Sequence, residues 1–381
     1  MPLRPRKKRG GGLYWLLAVV GVVFLGWMLW KSARGSGPRD RPPLAGMSRL
    51  QSNLLIRIYP PVSATNRPSA PVSTLTNNPP AQFINTIPGR LQPQLAKLPA
   101  ENIFAIQLAL TRQCISCGSL DGVLGSQTRA ALRALQQREG LTPTGELDEP
   151  TQSRLVLDVP LYTTYTVTSN DLARLQPLRP TWLGKSEQDR LDYETILELV
   201  AEMSHAHQDF IRRLNPGIDW NALTVGTPLK LPNAEYPPPR AKAAFVRIRL
   251  GSKTLQVFDA STNLLAHFPC SIARRVEKRP AGELHVAKIA PNPSYRFDPE
   301  IFPESEEGRQ LGRQLMIAPG PNNPVGTTWI GLDKPGYGIH GTPRPEEVGR
   351  TESHGCFRLA NWNADYLLRL VGIGTLVMVE P

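Results

Sequence analysis

The sequence predicts a multidomain protein. A mostly β, β-sandwich-like C-terminal domain follows a small α+β unit, a small helical unit, a flexible linker and an N-terminal transmembrane helix. Three observations carry this. An uncharged run, LYWLLAVVGVVFLGWMLW, fills residues 13–30. Prolines interrupt every periodic pattern from 31 to 100. Beyond 100 the apolar spacing is first helical and then, after 241, alternates with period two. At roughly 150 residues per domain, the 381 residues suit two or three packed domains.

The apolar run is long enough to span a membrane. As a helix it covers about 27 Å, close to the roughly 30 Å of a bilayer's hydrocarbon core. Arg4, Arg6, Lys7, Lys8 and Arg9 precede it, so residues 1–12 read as a basic cytoplasmic tail. Everything after Trp30 is then expected in the periplasm or cell-wall space, on a single-pass protein of the cytoplasmic membrane. The chain continues KSARGSG, with no A-x-A-like cleavage site and no lipoprotein cysteine, so residues 13–30 read as an uncleaved anchor. A net charge of +12 favours an anionic partner. Beside an apolar span, a nucleic-acid role for the basic cluster is a weak reading, and no nucleic-acid partner is expected.

Residues 31–100 hold many of the chain's 38 prolines among Ser, Thr and Asn, and form no core. They read as a tether with a coil dimension of about 40 Å.

Residues 101–159 read as a helical unit. Ile103, Ile106, Leu108 and Leu110 recur at helical spacing, as do Leu132 and Leu135. DGVLGSQT and TPTGELDEPT each supply a turn and then a helix start. Through Asp121, Gly122, Gly125, Thr128, Gly145 and Asp148 the segment resembles a peptidoglycan-binding domain, which implies contact with glycan strands. Cys114 and Cys117 form a C-x-x-C pair, and an oxidising compartment favours a short disulfide between them.

Residues 162–233 read as a small α+β unit: β-like alternation at YTVTS, an amphipathic helical stretch, and a closing strand at PLKLP. LNPGIDW and VGTPLKLP resemble a LysM carbohydrate-binding module. Ser169-Asn170-Asp171 stands where that family has a Gly-Asp-Thr turn, and an insertion of about twenty residues follows. His205 and His207 lie two apart on the helix, on different faces, and make no metal pair.

From 241 to 381, short alternating segments separated by turn residues predict an antiparallel sheet, with one helix at NADYLLRLVG. SHGCFRLAN places Cys356 between a His-Gly pair and Arg358, sixteen residues after His340. An unperturbed thiol is only about 3% thiolate at pH 7. A neighbouring imidazole can deprotonate it and, as imidazolium, stabilise the nucleophile. Gly341 and Gly355 allow close backbone approach around an oxyanion. Rival uses are a Cys270–Cys356 disulfide, which leaves both histidines idle, and a zinc site from His340, His354 and Cys356, which lacks a fourth ligand. Cys270 reads as an inert buried thiol. No metal and no cofactor is expected.

IHGTP with SHGCFRL, and KRPAGELHV and NPSY upstream, closely resemble the L,D-transpeptidase catalytic domain of the YkuD type. The resemblance implies Cys356 as nucleophile, His340 as general base, and His354 and Gly355 as shapers of the site. It also implies Arg358 as the contact for an anionic stem peptide, with Ser353, Gly341 and Tyr337 lining the substrate. The substrate implied is a peptidoglycan tetrapeptide stem, and the reaction acyl transfer through a Cys thioester. The product is then a 3→3 crosslink or a protein attached to the wall. An L,D-carboxypeptidase of the same fold and a non-catalytic wall-binding tether are the alternatives. The family often has Ser after the base histidine; here Gly341 leaves the imidazole to a backbone carbonyl. Arg279 stands where Thr is common before Pro280.

Overall fold

The computed structural model describes residues 98–99, 102–302, 304–351, 353 and 355–381. The anchor at 13–30, most of the linker and His354 lie outside the described residues.

The helical unit opens with β1 (Leu98–Pro99) and α1 (Ile103–Thr111), continues through α2 (Ser126–Arg138) and α3 (Glu149–Gln152), and closes with β2 (Val156–Leu157) on β1. Asn102 caps α1 by accepting from Ala105 N at 2.8 Å, and Asp148 caps α3 from Thr151 N at 2.9 Å. The two motif turns are built alike, each around a buried glutamine. Gln107 Oε1 accepts from the amides of Asp121 and Gly122, and Gln136 Oε1 accepts from Gly145 N at 2.7 Å. Gly122 and Gly145 sit at φ 75° and 78°, where a side chain is strained. Leu135 is fully buried in the core of this unit.

In the α+β unit, β3 (Tyr162–Thr166) pairs antiparallel with β4 (Pro228–Pro232) and brackets four helices. These are α4 (Ser169–Arg174), α5 (Trp182–Ser186), α6 (Ile196–Met203) and α7 (Gln208–Leu214). The Ser169-Asn170-Asp171 stretch starts α4 through a capping box between Thr168 and Asp171. The insertion has a structural task. Trp182 stacks on Phe297 with ring centroids 4.2 Å apart, and its amide and that of Leu183 donate to the Glu307 carboxylate, each at 2.8 Å. Leu191 exchanges backbone hydrogen bonds with Pro319 and Asn322. The inserted residues therefore dock this unit onto the β domain. His205 stacks on Trp362 of that domain.

The C-terminal domain is mostly β. Its strands are β5 (Phe245–Arg249), β6 (Thr254–Phe258), β7 (Leu264–Pro269), β8 (Gly282–Pro291), β9 (Tyr295–Phe297), β10 (Leu315–Ile317), β11 (Thr328–Leu332), β12 (Gly338–His340), β13 (Phe357–Arg358) and β14 (Leu376–Glu380). Its helices are α8 (Glu306–Leu311) and α9 (Asn361–Leu370). Eight strands form one sheet in the order β13-β12-β11-β8-β14-β5-β6-β7. The sandwich-like expectation gives way here to a continuous sheet that turns at β8. Residues 282–285 of that long strand pair with β14, and residues 286–291 pair with β11. The sheet is mixed, because β14 joins β5 and β13 joins β12 in parallel. Trp362, Tyr366, Leu367 and Leu370 of α9 share one core with Val246 and Val257 from one half and Ile330 and Phe357 from the other.

The Cys114–Cys117 disulfide is not formed, and both thiols are free. Between them the chain runs extended beside β7, with Ser116 N donating to His267 O and His267 N to Cys114 O. Cys114 sits in a left-handed turn at φ 62°, and the chain after it bridges His267 through Ile115, which sends the two thiols to different sides. Cys114 meets the Tyr366 hydroxyl at 3.1 Å in the β-domain core, while Cys117 faces Gln107 O at 3.6 Å in the helical core. Cys270 is fully buried and free, so it does not bridge to Cys356.

Candidate active site

His340 ends β12 and Arg358 ends β13, and the parallel register sets the two residues side by side. Glycine makes this close packing feasible. A Cβ on Gly338 would meet the Trp329 ring at 2.7 Å, so only glycine lets Trp329 lie across β12. Trp329 then stacks on the His340 imidazole, with centroids 5.6 Å apart.

The imidazole is buried, with Nδ1 2.6 Å from the carbonyl oxygen of Gly341. A carbonyl can only accept, so Nδ1 carries the proton and Nε2 is left as the basic nitrogen. Burial pulls the His340 pKa down to about 4; the Gly341 carbonyl opposes this, and the Arg358 charge adds to it.

Cys356 packs against the cluster formed by Tyr295, Trp329 and Leu191, the last from the α+β unit. Its Sγ donates to Gly336 O at 3.6 Å. Burial pushes the thiol up to about 11, opposed by a hydrogen bond from the Gly338 backbone. Near neutral pH, burial thus keeps both the Cys356 thiol and the His340 imidazole uncharged.

Among the described residues, hydrogen bonds hold the segment before Cys356. Ser353 Oγ donates to Cys356 O at 2.5 Å and accepts from Gly355 N, and Ser353 N donates to Ile272 O. Arg358 Nη2 donates to Thr351 Oγ1 at 2.9 Å. The Tyr337 ring lies 3.8 Å from where a Gly355 Cβ would stand. Arg279 clamps the facing turn by donating to the carbonyls of Ala273 and Arg274. The structure thus gathers Cys356, His340, Gly341, Ser353, Gly355, Tyr337 and Arg358 in one region.

Sequence reading missed a layer behind the imidazole. Fully buried Asn361 packs against Gly341 and Gly326, and Asp365 accepts from the hydroxyls of Thr327 and Thr328 at 2.6 Å each. A polar residue on the apolar face of the helix that follows the motif was the available signal.

Residues 243–379 match the L,D-transpeptidase catalytic domain family (YkuD), and residues 99–155 match the putative peptidoglycan binding domain family. This chain carries a YkuD-family L,D-transpeptidase catalytic domain joined to a peptidoglycan-binding domain. Neither match covers residues 162–233. The putative L,D-transpeptidase YkuD of Bacillus licheniformis is 25% identical over 191 residues, spanning 49% of this chain and 94% of that one. The putative L,D-transpeptidase YqjB of Bacillus subtilis is 37% identical over 105 residues, 26% of this chain and 51% of its own. Among solved structures, an L,D-transpeptidase from Mycobacterium smegmatis aligns over 43% of this chain and 80% of its own, at 16% identity and a TM-score of 0.29.

Proposed function

We propose that this protein is a cysteine-dependent L,D-transpeptidase acting on peptidoglycan tetrapeptide stems. The observation that carries the reading is an imidazole held as the Nδ1–H tautomer, with its basic Nε2 free, one strand away from Cys356. Cys356 Sγ attacks the carbonyl of the third stem residue as its proton passes to His340 Nε2. The C–N bond breaks, the imidazolium returns that proton to the departing D-alanine amine, and a thioester remains. An acceptor amine attacks the thioester, His340 takes the amine's proton, and the thiol is restored. The backbone N–H of Cys356 serves the oxyanion, such a donor being worth about 3 kcal/mol in the transition state. His354 shapes that pocket, and Arg358 receives a stem carboxylate. A third-residue amine of another stem yields a 3→3 crosslink, a protein amine yields wall attachment, and water yields carboxypeptidation.

The helical unit supports this reading by its placement. Gln127 Nε2 donates at 2.6 Å to the carbonyl of Val348, in the loop that joins base to nucleophile, so glycan held there lies beside the site. Residues 162–233 act as a LysM-like glycan contact, and residues 13–30 anchor the chain in the cytoplasmic membrane with residues 31–100 as its tether. The test is intact mass spectrometry of the full-length chain after mixing with a carbapenem or a disaccharide-tetrapeptide. An adduct mapped to Cys356, resolved by added amines, is expected. No adduct from either compound overturns the proposal.

A further inference from the structure

The backbone that orients His340 is held from outside the β domain. Asn361 Nδ2 donates to both carboxylate oxygens of Glu202, at 3.2 and 3.0 Å, and to Pro321 O at 3.1 Å. Its Oδ1 accepts from Thr327 N at 3.3 Å. This oxygen fills space that two glycines leave open. A Cβ on Gly326 would come within 2.0 Å of it, and one on Gly341 within 2.2 Å. Gly341 is the residue whose carbonyl receives His340 Nδ1. Glu202 belongs to α6 of the α+β unit, and its Oε1 also accepts from the Tyr193 hydroxyl at 2.9 Å. The side chain is half-buried, but its carboxyl end is enclosed, and burial pushes that group up to about 8.

A primary amide has two unlike ends, and its environment decides which way each points. Pro321 offers Asn361 only an acceptor, and Glu202 keeps at least one accepting oxygen in either protonation state, so the NH₂ end turns to them and Oδ1 turns to Thr327 and Gly341. Without the carboxyl the amide is free to rotate, and its NH₂ would then confront the Thr327 N–H, donor against donor. The strand end beside Gly341 would shift to relieve this.

We propose that Glu202 is a positioning residue for the catalytic base. By fixing the orientation of the Asn361 amide, it sets the Gly341 carbonyl that holds His340 in its working tautomer. The α+β unit is on this account part of the catalytic machinery and not only a spacer. The inference rests on His340 serving as base in the reaction proposed above.

Three variants of the full-length chain test it: Glu202→Ala, Glu202→Asp and Glu202→Gln. Glutamine keeps an acceptor at the same reach, whereas aspartate keeps the carboxyl group but falls about 1.5 Å short, one carbon–carbon bond. Carbapenem acylation of Cys356 should stay within about threefold of wild type in Glu202→Gln and fall at least about tenfold in the other two, on the scale of misplaced catalytic groups. Nitrogen-15 spectra of labelled histidine should show the His340 Nδ1–H tautomer in wild type and Glu202→Gln, and its loss in Glu202→Asp. Should Glu202→Ala not fold, the Asp and Gln pair decides. Wild-type rates and tautomer in Glu202→Asp, or a glutamine variant as impaired as the aspartate one, would overturn the proposal. If wild-type protein is itself not acylated, the proposed function falls, and the tautomer spectra alone decide the role of Glu202.

Discussion

Replacing His340 by alanine should separate two reactions of the same thiol. With the Cys356 pKa pushed up to about 11, only about one thiol in 10⁴ is thiolate at pH 7, against about one in 30 for an unperturbed cysteine. Site-resolved iodoacetamide labelling of Cys356 should therefore climb about tenfold per pH unit from 7 to 10 without a plateau. His340 is neutral throughout that range, since its pKa is near 4, and a neutral ring contributes no charge to stabilise the thiolate. Its removal also admits water beside the thiol, which relieves desolvation and lowers the thiol pKa. Labelling in His340→Ala should be unchanged or faster. Acylation by a carbapenem should instead fall by about 10² to 10⁴, because the proton transferred during attack has lost its acceptor. Peptide-level mass spectrometry reads both reactions, since the other three cysteines are buried. A wild-type labelling curve that levels off below about pH 7, with the plateau abolished in His340→Ala, would show a preformed thiolate–imidazolium pair and refute this reasoning.

Further outcomes follow from contacts in the structure. Gly341→Ala places a methyl 2.2 Å from Asn361 Oδ1 in a fully buried site, so overpacking should cost about 1–3 kcal/mol. Acylation should fall with it; thermal melting and acylation both at wild-type values would remove Asn361 from the account. Gly341→Ser should be no better tolerated. Because Cys114 and Cys117 point into separate cores, reductant should leave the melting temperature unchanged. Peptide mapping without reductant should find both thiols alkylatable after denaturation, and a bridged peptide would contradict the geometry.

The sequence by itself determined the parts whose physics is local. Helical spacing and turn-cap pairs specify α1 and α2, alternation specifies β5 to β7, and SHGCFRL with IHGTP marks the nucleophile and base candidates. Gly341 in place of a side-chain partner already implied that a backbone carbonyl would hold the imidazole, because something must accept from Nδ1. What only the tertiary structure decided depends on neighbours distant in the chain. The direction of Cys114 and Cys117 is set by a left-handed turn at Cys114 and the bridge of Ile115 to His267, which no C-x-x-C spacing reveals. The single curved sheet follows from β8 changing partners midway, where an alternating pattern is equally compatible with two stacked sheets. The insertion after Asp171 looked like a departure from a binding module, and its role became visible only with Trp182 stacked on Phe297. Glu202 carried no signal at all. Its significance lies in meeting Asn361 across 159 residues of sequence, and desolvation at such a meeting is a property of the folded surroundings and not of the residue.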